Sequence, residues 1–238
     1  MRIDSNECCA ICEELSASPR TRLSGALSDD AISNAILTTS DHFAVIPSVG
    51  PLVLGHSLVV TREHSNNVIA SLSDYESHDL RNICECSMTV LLDRCPGLQL
   101  LCFEHGSKRG PRHSLCSTSH GHIHLVPLST TDAMAVLDSV GGQGLEVQDF
   151  HELSDSIGRM EEYIVAFCLM QDRDELRGVI RDASHVPSQY LRRLVADRLG
   201  IAAWDWKTNA NADLLRRTLA LGFEPNKKVT LHPMVRTI

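Results

Sequence analysis

The chain has 238 residues, 43% of them hydrophobic but only 4% aromatic, and a formal net charge of −8. That length allows one large domain or a domain with a sizeable extension, with a core resting on Leu, Ile, Val and Ala rather than on aromatic rings. The negative balance argues against a general nucleic-acid surface, which needs a basic stripe, so a long nucleic acid is not expected as a partner; a small phosphorylated substrate in a locally positive pocket is compatible with it.

The N-terminal stretch "MRIDSNECCAICEELSASPR" holds a Cys9-x-x-Cys12 pair and no apolar h-region, so it does not read as a secretory signal. No apolar run approaches the roughly 18–20 residues of a membrane span, and no membrane partner is expected. Nine cysteines, an odd number, suit a reducing cytoplasm without a disulfide framework. Cys84, Cys86, Cys95, Cys102 and Cys168 stand in apolar or helical context, where a thiol packs as a small hydrophobe.

Residues 37–48, "LTTSDHFAVIPS", read as strand, turn and strand, and "PLVLGHSLVVTREH" as a Gly-His turn leading into a further strand. From about residue 74 the apolar positions Leu80, Ile83, Met88, Leu91 and Leu92 recur at helical spacing. Ser73 or Asp74 serves as N-cap, and Pro96-Gly97 ends the helix. "LQLLCFEHG" and "HIHLVPL" are strands separated by the basic loop "SKRGPRHS". Short turns between strands make residues 1–130 an α+β unit with a mostly antiparallel sheet and flanking helices.

Residues 131–238 read as a mainly helical extension packed on that unit, with one or two strands near 145–182, for example in "EYIVAFCLM". "SQYLRRLVADRLG" reads as a helix with Ser188 as N-cap and Gly200 just past its end, followed by an exposed or interfacial "WDW". "TNANAD" reads as a loop and N-cap before "LLRRTLALG".

The chemistry concentrates in "CSTSHGHIHLVPL", where His120, His122 and His124 alternate. Alternate residues of a strand share one face about 6.6 Å apart, so the histidines line one surface while Ile123 and Leu125 enter a core. Gly121 points to a close approach of another element or of a ligand. Three readings fit: a polar surface strand, a metal centre built from all three imidazoles, or one nucleophilic histidine oriented by its neighbours.

"HGHIHLV" resembles the signature of the histidine triad superfamily. "GHSLVVTREH" and "FEHG…CSTSHGHIH" are similar to further segments of that superfamily, in its order, and the N-terminal CxxC is similar to its zinc-bearing branch, related to galactose-1-phosphate uridylyltransferase. The resemblance covers roughly residues 8–130 and implies a nucleotide hydrolase or nucleotidyltransferase acting at an α-phosphate. It assigns His122 as nucleophile, His124 to the phosphate and leaving group, Ser117 to the phosphate and His56 to the neighbourhood of the site. It also implies a structural zinc held by Cys9, Cys12, His64 and His120, with Cys8 as the alternative to Cys9. Mg²⁺ can accompany a polyphosphate substrate. Val45 departs from the aspartate that holds ribose hydroxyls in many members. Compact members pair as homodimers. Lys108 and Arg112 of the basic loop, and Gln189 or Arg193 of the extension, are candidate substrate-binding residues. A catalytically quiet nucleotide- or protein-binding module and a metal-dependent hydrolase using all three histidines are the competing readings.

Overall fold

The computed structural model describes residues 9–16, 21–27, 36–108, 120–142, 144–158, 160–169 and 176–223. In chain order the elements are α1 (Ala10–Leu15), α2 (Arg22–Leu27), β1 (Thr38–Thr39), β2 (Phe43–Pro47), β3 (Ser57–Thr61), α3 (Asp74–Arg94), β4 (Leu98–Ser107) and β5 (His122–Ser129). Then follow α4 (Thr130–Gly141), β6 (Leu145–Val147), α5 (Phe150–Ile157), β7 (Glu162–Leu169), β8 (Leu176–Asp182), α6 (Tyr190–Leu199) and α7 (Ala212–Leu219). The protein is α+β. Its strands form one sheet in the order β1-β2-β3-β5-β4-β7-β8-β6, with antiparallel pairing throughout.

Strand alternation sorts side chains onto two faces. Val45, Val59, Ile123, Leu125, Cys102, Val165 and Phe167 face one way and bury against α3 and α5 in the largest core. Leu101, Phe103, Val126, Leu128, Ile164, Ala166 and Cys168 face the other way, under α4 and α6. At the far end of that second face, Ile11 of α1 packs on Ala44, Ile46 and Val60. Among the described residues, the sheet between α1 and α6 is left open as a cavity, and His122 and His124 of β5 line it.

Helix α3 begins where its sequence asks. Ser73 accepts from the Glu76 N–H while the Glu76 carboxylate accepts from the Ser73 N–H, a reciprocal cap. The buried carboxylate of Asp79 accepts from Ser40 Oγ and the His42 N–H, tying the helix to the β1–β2 turn. Gly55 sits at φ +82 in the turn before β3, and its N–H donates to Thr218 Oγ1 of α7.

Residues 145–182 supply three strands, more than the one or two that the sequence suggests. β7 pairs with β4 over seven residues, so the sheet runs on across residue 130. Alternation is invisible in β7 because every residue from Glu162 to Leu169 is buried, with both faces covered by helices. Helix α6 begins at Tyr190 with Gln189, not Ser188, at the N-cap position; Gln189 adopts a left-handed conformation (φ 62, ψ 16). Gly200 at φ 69 closes the helix, as its position suggests.

Glu104 is the buried carboxyl that shapes the approach to β5. It accepts from the Val68 N–H (2.6 Å), the Ile69 N–H (3.0 Å) and the Tyr163 hydroxyl (2.8 Å), fixing the 3₁₀ turn Ile69–Ser71. Burial pushes its pKa up to about 7 against those donors. An unfolded chain holds the group near ~4.3. The protonated carboxyl therefore stabilises the fold below that value, and this contribution fades as pH rises through 7. Glu104→Gln does not titrate, and its amide NH₂ must face one of the donors. The variant is expected to lose about 1–3 kcal/mol. Thermal melts should show its gap from the native protein wider near pH 5 than near pH 8; a gap that widens with pH refutes this account.

Candidate functional site

Cross-strand register builds the floor of the site. Ile46 pairs with Leu58, Leu58 with His124, and His124 with Phe103, so these four lie side by side on β2, β3, β5 and β4. One step along, His122 pairs with Val60 on β3, and the same register brings His105 of β4 beside it. A cavity of about 100 Å³, open to solvent, stands over this floor. Ile11 of α1, Leu23 of α2, Ile46 and Leu58 form an apolar side, and Gln189 and Arg192 at the start of α6 form a polar one. Gly50 and Trp206 lie at its edge, and a Cβ on Gly50 would fall 2.5 Å from the Trp206 Cβ.

The hydrogen bonds of the histidines determine where each ring carries its proton. His122 Nδ1 lies 2.8 Å from the His120 carbonyl, an acceptor, so Nδ1 bears the proton and Nε2 keeps its lone pair. His56 Nδ1 accepts from the Leu52 N–H at 3.0 Å, so its proton is on Nε2, which lies 2.9 Å from His124 Nδ1. His124 therefore accepts at Nδ1 and carries its own proton on Nε2. Burial holds His56 and His124 well below the usual imidazole pKa; His122 and His56 add repulsion at His124, and Arg192 at both. Burial also lowers His122, and the His120 carbonyl opposes that shift. These are neutral rings with defined tautomers: a lone pair on His122 and an N–H on His124, whose ring centroids are 5.1 Å apart.

His120 stands just before β5, outside the cavity lining, against α1. Its Nε2–H donates to the Thr61 carbonyl at 2.8 Å, leaving Nδ1 unprotonated 3.5 Å from both Cys9 Sγ and Cys12 Sγ. His64 Nδ1 lies 3.4 Å from Cys12 Sγ. The four ligand atoms of Cys9, Cys12, His64 and His120 all lie within 4.8 Å of one another, a group that could hold a metal such as zinc. The donor set, two sulfurs and two imidazole nitrogens with one tautomer fixed from behind, fits a closed tetrahedral site. Thr61, where proline is usual in the resembling segment, supplies the carbonyl behind His120.

Gly121 answers to a neighbouring element. A Cβ there would lie 2.4 Å from the Asn67 carbonyl carbon, and the Gly121 N–H donates to the Ser65 carbonyl at 2.6 Å. Glu104, by pinning residues 68 and 69, holds the segment that Gly121 must approach.

The other sequence candidates separate. Gln189 lines the cavity and donates from Nε2 to Asp205 Oδ1 at 3.0 Å. Arg193 does not line it: its side chain is exposed, pairs with Asp197 at 3.7 Å and lies over Trp204. The residue turned inward is Arg192, because neighbours on a helix differ by about 100° in direction. Lys108 is likewise drawn elsewhere, donating to the Ile157 and Gly158 carbonyls at the end of α5, where unpaired carbonyls attract a cation. Ser117, Arg112 and Cys8 lie outside the described residues. Val45 is wholly buried on the opposite face of the sheet from the histidines.

Arg192 and His105 were not singled out in the sequence. His105 lies in the cavity wall with Nε2 unpartnered, and burial together with neighbouring His122 brings its pKa down to about 4. The signal for His105 was in "FEHG": two residues after Phe103 on a strand, it must share the face of Phe103.

No family model matches the chain, and no curated protein matches it. Solved structures similar to it include a hypothetical histidine triad nucleotide-binding protein from Sulfolobus tokodaii, at 22% identity and a TM-score of 0.32, covering 40% of this chain and 61% of that one. A yeast Ap4A phosphorylase in complex with Ap4A matches at 17% identity and a TM-score of 0.39, covering 58% of this chain and 56% of that one. The same enzyme in complex with AMP matches at 17% identity and a TM-score of 0.39, covering 68% and 64%. The chain thus spans less than two thirds of the length of each. The chemistry of the site follows from its own geometry.

Long-range nitrogen–proton correlation spectra of histidine-labelled protein at neutral pH check that geometry. His122 is expected as the Nδ1–H tautomer, and His56, His120 and His124 as Nε2–H. A His122 protonated on Nε2 would remove the lone pair from the cavity and sink the arrangement described here.

Proposed function

We infer that the protein is an enzyme that breaks a bond at the α-phosphorus of a nucleoside phosphate derivative through a nucleotidyl-histidine at His122. The observation that supports this most is the tautomer of His122. Its Nδ1–H is held by the His120 carbonyl, which directs the Nε2 lone pair at the cavity. A neutral imidazole in a water-poor site is a nucleophile ready without prior deprotonation.

His122 Nε2 attacks phosphorus, and the bond from phosphorus to the leaving group breaks. The leaving group departs as an anion and accepts a hydrogen bond from the His124 Nε2–H, while the nucleotidylated His122 ring carries the balancing positive charge. Water then attacks the same phosphorus, the P–N bond breaks back to the His122 lone pair, and the proton that water loses passes to the leaving-group anion. Transfer to another acceptor follows the same two steps. Ser117 is proposed to hold an equatorial oxygen. The nucleoside lies along Ile11, Ile46 and Leu58, where a flat apolar ring meets apolar side chains. The partner is a small-molecule nucleotide, with Mg²⁺ accompanying it where the substrate is a polyphosphate.

Cys9, Cys12, His64 and His120 would hold a zinc ion whose contribution is structural, fixing the residue whose carbonyl orients His122. Four protein ligands leave such an ion no open position for water. The fold lacks, among its described residues, a helix long and apolar enough to cross a membrane; the nine cysteines, an odd number, support a reducing cytoplasm as its location.

Turnover of nucleoside phosphate derivatives with different leaving groups, with products identified by mass, tests this reading. His122→Ala is expected to lose several orders of magnitude in rate while still binding nucleotide. An early quench should show one nucleotidyl mass on the His122 peptide. Fast turnover by His122→Ala means direct attack by water; nucleotide binding without any turnover by the native protein means a quiet binding module.

The zinc assignment has its own check. Metal analysis of the native protein should find roughly one zinc per chain, since a closed site of this kind is linked to folding. The Cys9→Ser/Cys12→Ser double variant should lack it and melt at a much lower temperature. A metal-free native protein that melts with the double variant removes the zinc.

A further inference from the structure

The polar side of the cavity is built around a buried cation that has no counter-ion among the described residues. Arg192 is only 3% exposed. Its Nη2 donates to the Gly50 carbonyl at 2.6 Å and the Trp204 carbonyl at 2.9 Å, two neutral acceptors that orient the guanidinium without cancelling its charge. Its Nε is buried and has no partner. Among the described residues, no carboxylate stands within ion-pair distance of it. Asp205, the acidic group that bears on it electrostatically, accepts instead from Gln189 Nε2 and the Lys207 N–H, both at 3.0 Å. Burial brings the guanidinium down to about 10, so it stays charged at neutral pH.

A second feature of the same wall points to the same kind of ligand. Gln189, Tyr190, Leu191 and Arg192, the N-cap and first turn of the ten-residue helix α6, all line the cavity. The helix opens without a side-chain cap, which leaves the partial positive charge of its N-terminus unanswered by its own N-cap residue. Gln189 holds its left-handed backbone at this point, with Oε1 buried and unpartnered. A buried guanidinium beside an uncapped helix start is a place for phosphate oxygens. The acidic group on the far wall, Glu14, accepts from the Leu23 N–H and has Arg22 beside it.

Position decides which phosphate. In the sheet order β2-β3-β5-β4 the apolar wall lies over β2 and β3, the histidines are on β5, and α6 packs on the side of Phe103 and Leu101 of β4. His122 and His124 line the same cavity as the apolar wall and Arg192, and the Arg192 charge bears on both rings.

We propose that Arg192 and the first turn of α6 form a second-phosphate site, so that the substrate is a phosphoanhydride: the phosphorus attacked by His122 is joined through oxygen to a further phosphoryl group held by Arg192. This rests on reading His122 as the residue that faces the reacting phosphorus. It distinguishes among the leaving groups that the triad alone would accept, favouring one that carries its own negative charge over an amine or an alcohol.

Equilibrium binding of inorganic pyrophosphate and of orthophosphate to the metal-loaded protein, followed by calorimetry, tests the site without requiring turnover. Pyrophosphate should bind the native protein roughly tenfold or more tightly than orthophosphate, because it occupies both positions. Arg192→Met should erase that preference, and Arg192→Lys should keep part of it, since the charge remains but the fork of donors is lost. Melting temperature and metal content are read alongside. If Arg192→Met fails to fold, the native protein still decides: equal affinity for the two anions overturns the site. A preference that survives intact in Arg192→Met overturns it as well. Failure of the nucleotide reading looks different, because pyrophosphate binding would then depend on Arg192 while AMP and ADP fail to compete with it.

Discussion

His120 holds two neighbours with two different groups of one residue. Its ring, whose Nε2–H donates to the Thr61 carbonyl, offers Nδ1 to the thiols of Cys9 and Cys12. Its backbone carbonyl accepts the proton-bearing Nδ1 of His122. Whatever anchors the ring also anchors the carbonyl, and the carbonyl determines which nitrogen of His122 faces the cavity. The flanking geometry serves the same end. Gly121 can lie against Asn67 only because it has no Cβ, and Glu104 keeps residues 68 and 69 in place beside it. A cluster that could hold a metal and the His122 ring are thus joined through a single peptide unit.

Desolvation does the rest of the electrostatic work. His56, His122 and His124 share one enclosed region, and adding a proton to any of them would place an ion where water is scarce. The rings stay neutral, and neutrality is what makes tautomers meaningful: each ring has one donor and one acceptor, and the chain from Leu52 through His56 to His124 has a single direction. The same scarcity of water makes Arg192 conspicuous. Two backbone carbonyls orient it, but only an anion can balance it, and the described protein supplies none at contact distance.

The extension is part of the site and not an appendage to it. β7 lies against β4 in the middle of the sheet, and α6 packs on the face that carries His122 and His124. With α1 at one end and α6 at the other, the uncovered width of sheet becomes a cleft with one apolar and one cationic wall. A chain ending after β5 would have the histidines and the metal ligands but neither Arg192 nor the second wall.

The sequence by itself determined what depends on local period. Two-residue alternation put His122 and His124 on one face and Ile123 and Leu125 on the other; the reciprocal cap at Ser73 and Glu76 started α3; Gly121 announced a close approach. Cys9, Cys12, His64 and His120 were brought forward by family resemblance, and the fold gathers them. Tertiary structure decided what depends on direction and on long-range neighbours. Arg192 rather than Arg193 turns inward because a helix rotates about 100° per residue and packing selects which side is buried. Lys108 goes to the end of α5, whose carbonyls lie some fifty residues along the chain. β7 hides its period because helices cover both faces of the sheet there. His105 joins the site through a cross-strand register that no short stretch of sequence contains. Local periodicity is written in neighbouring residues, whereas the direction of a charged side chain is set by the field and the packing of elements far away in sequence.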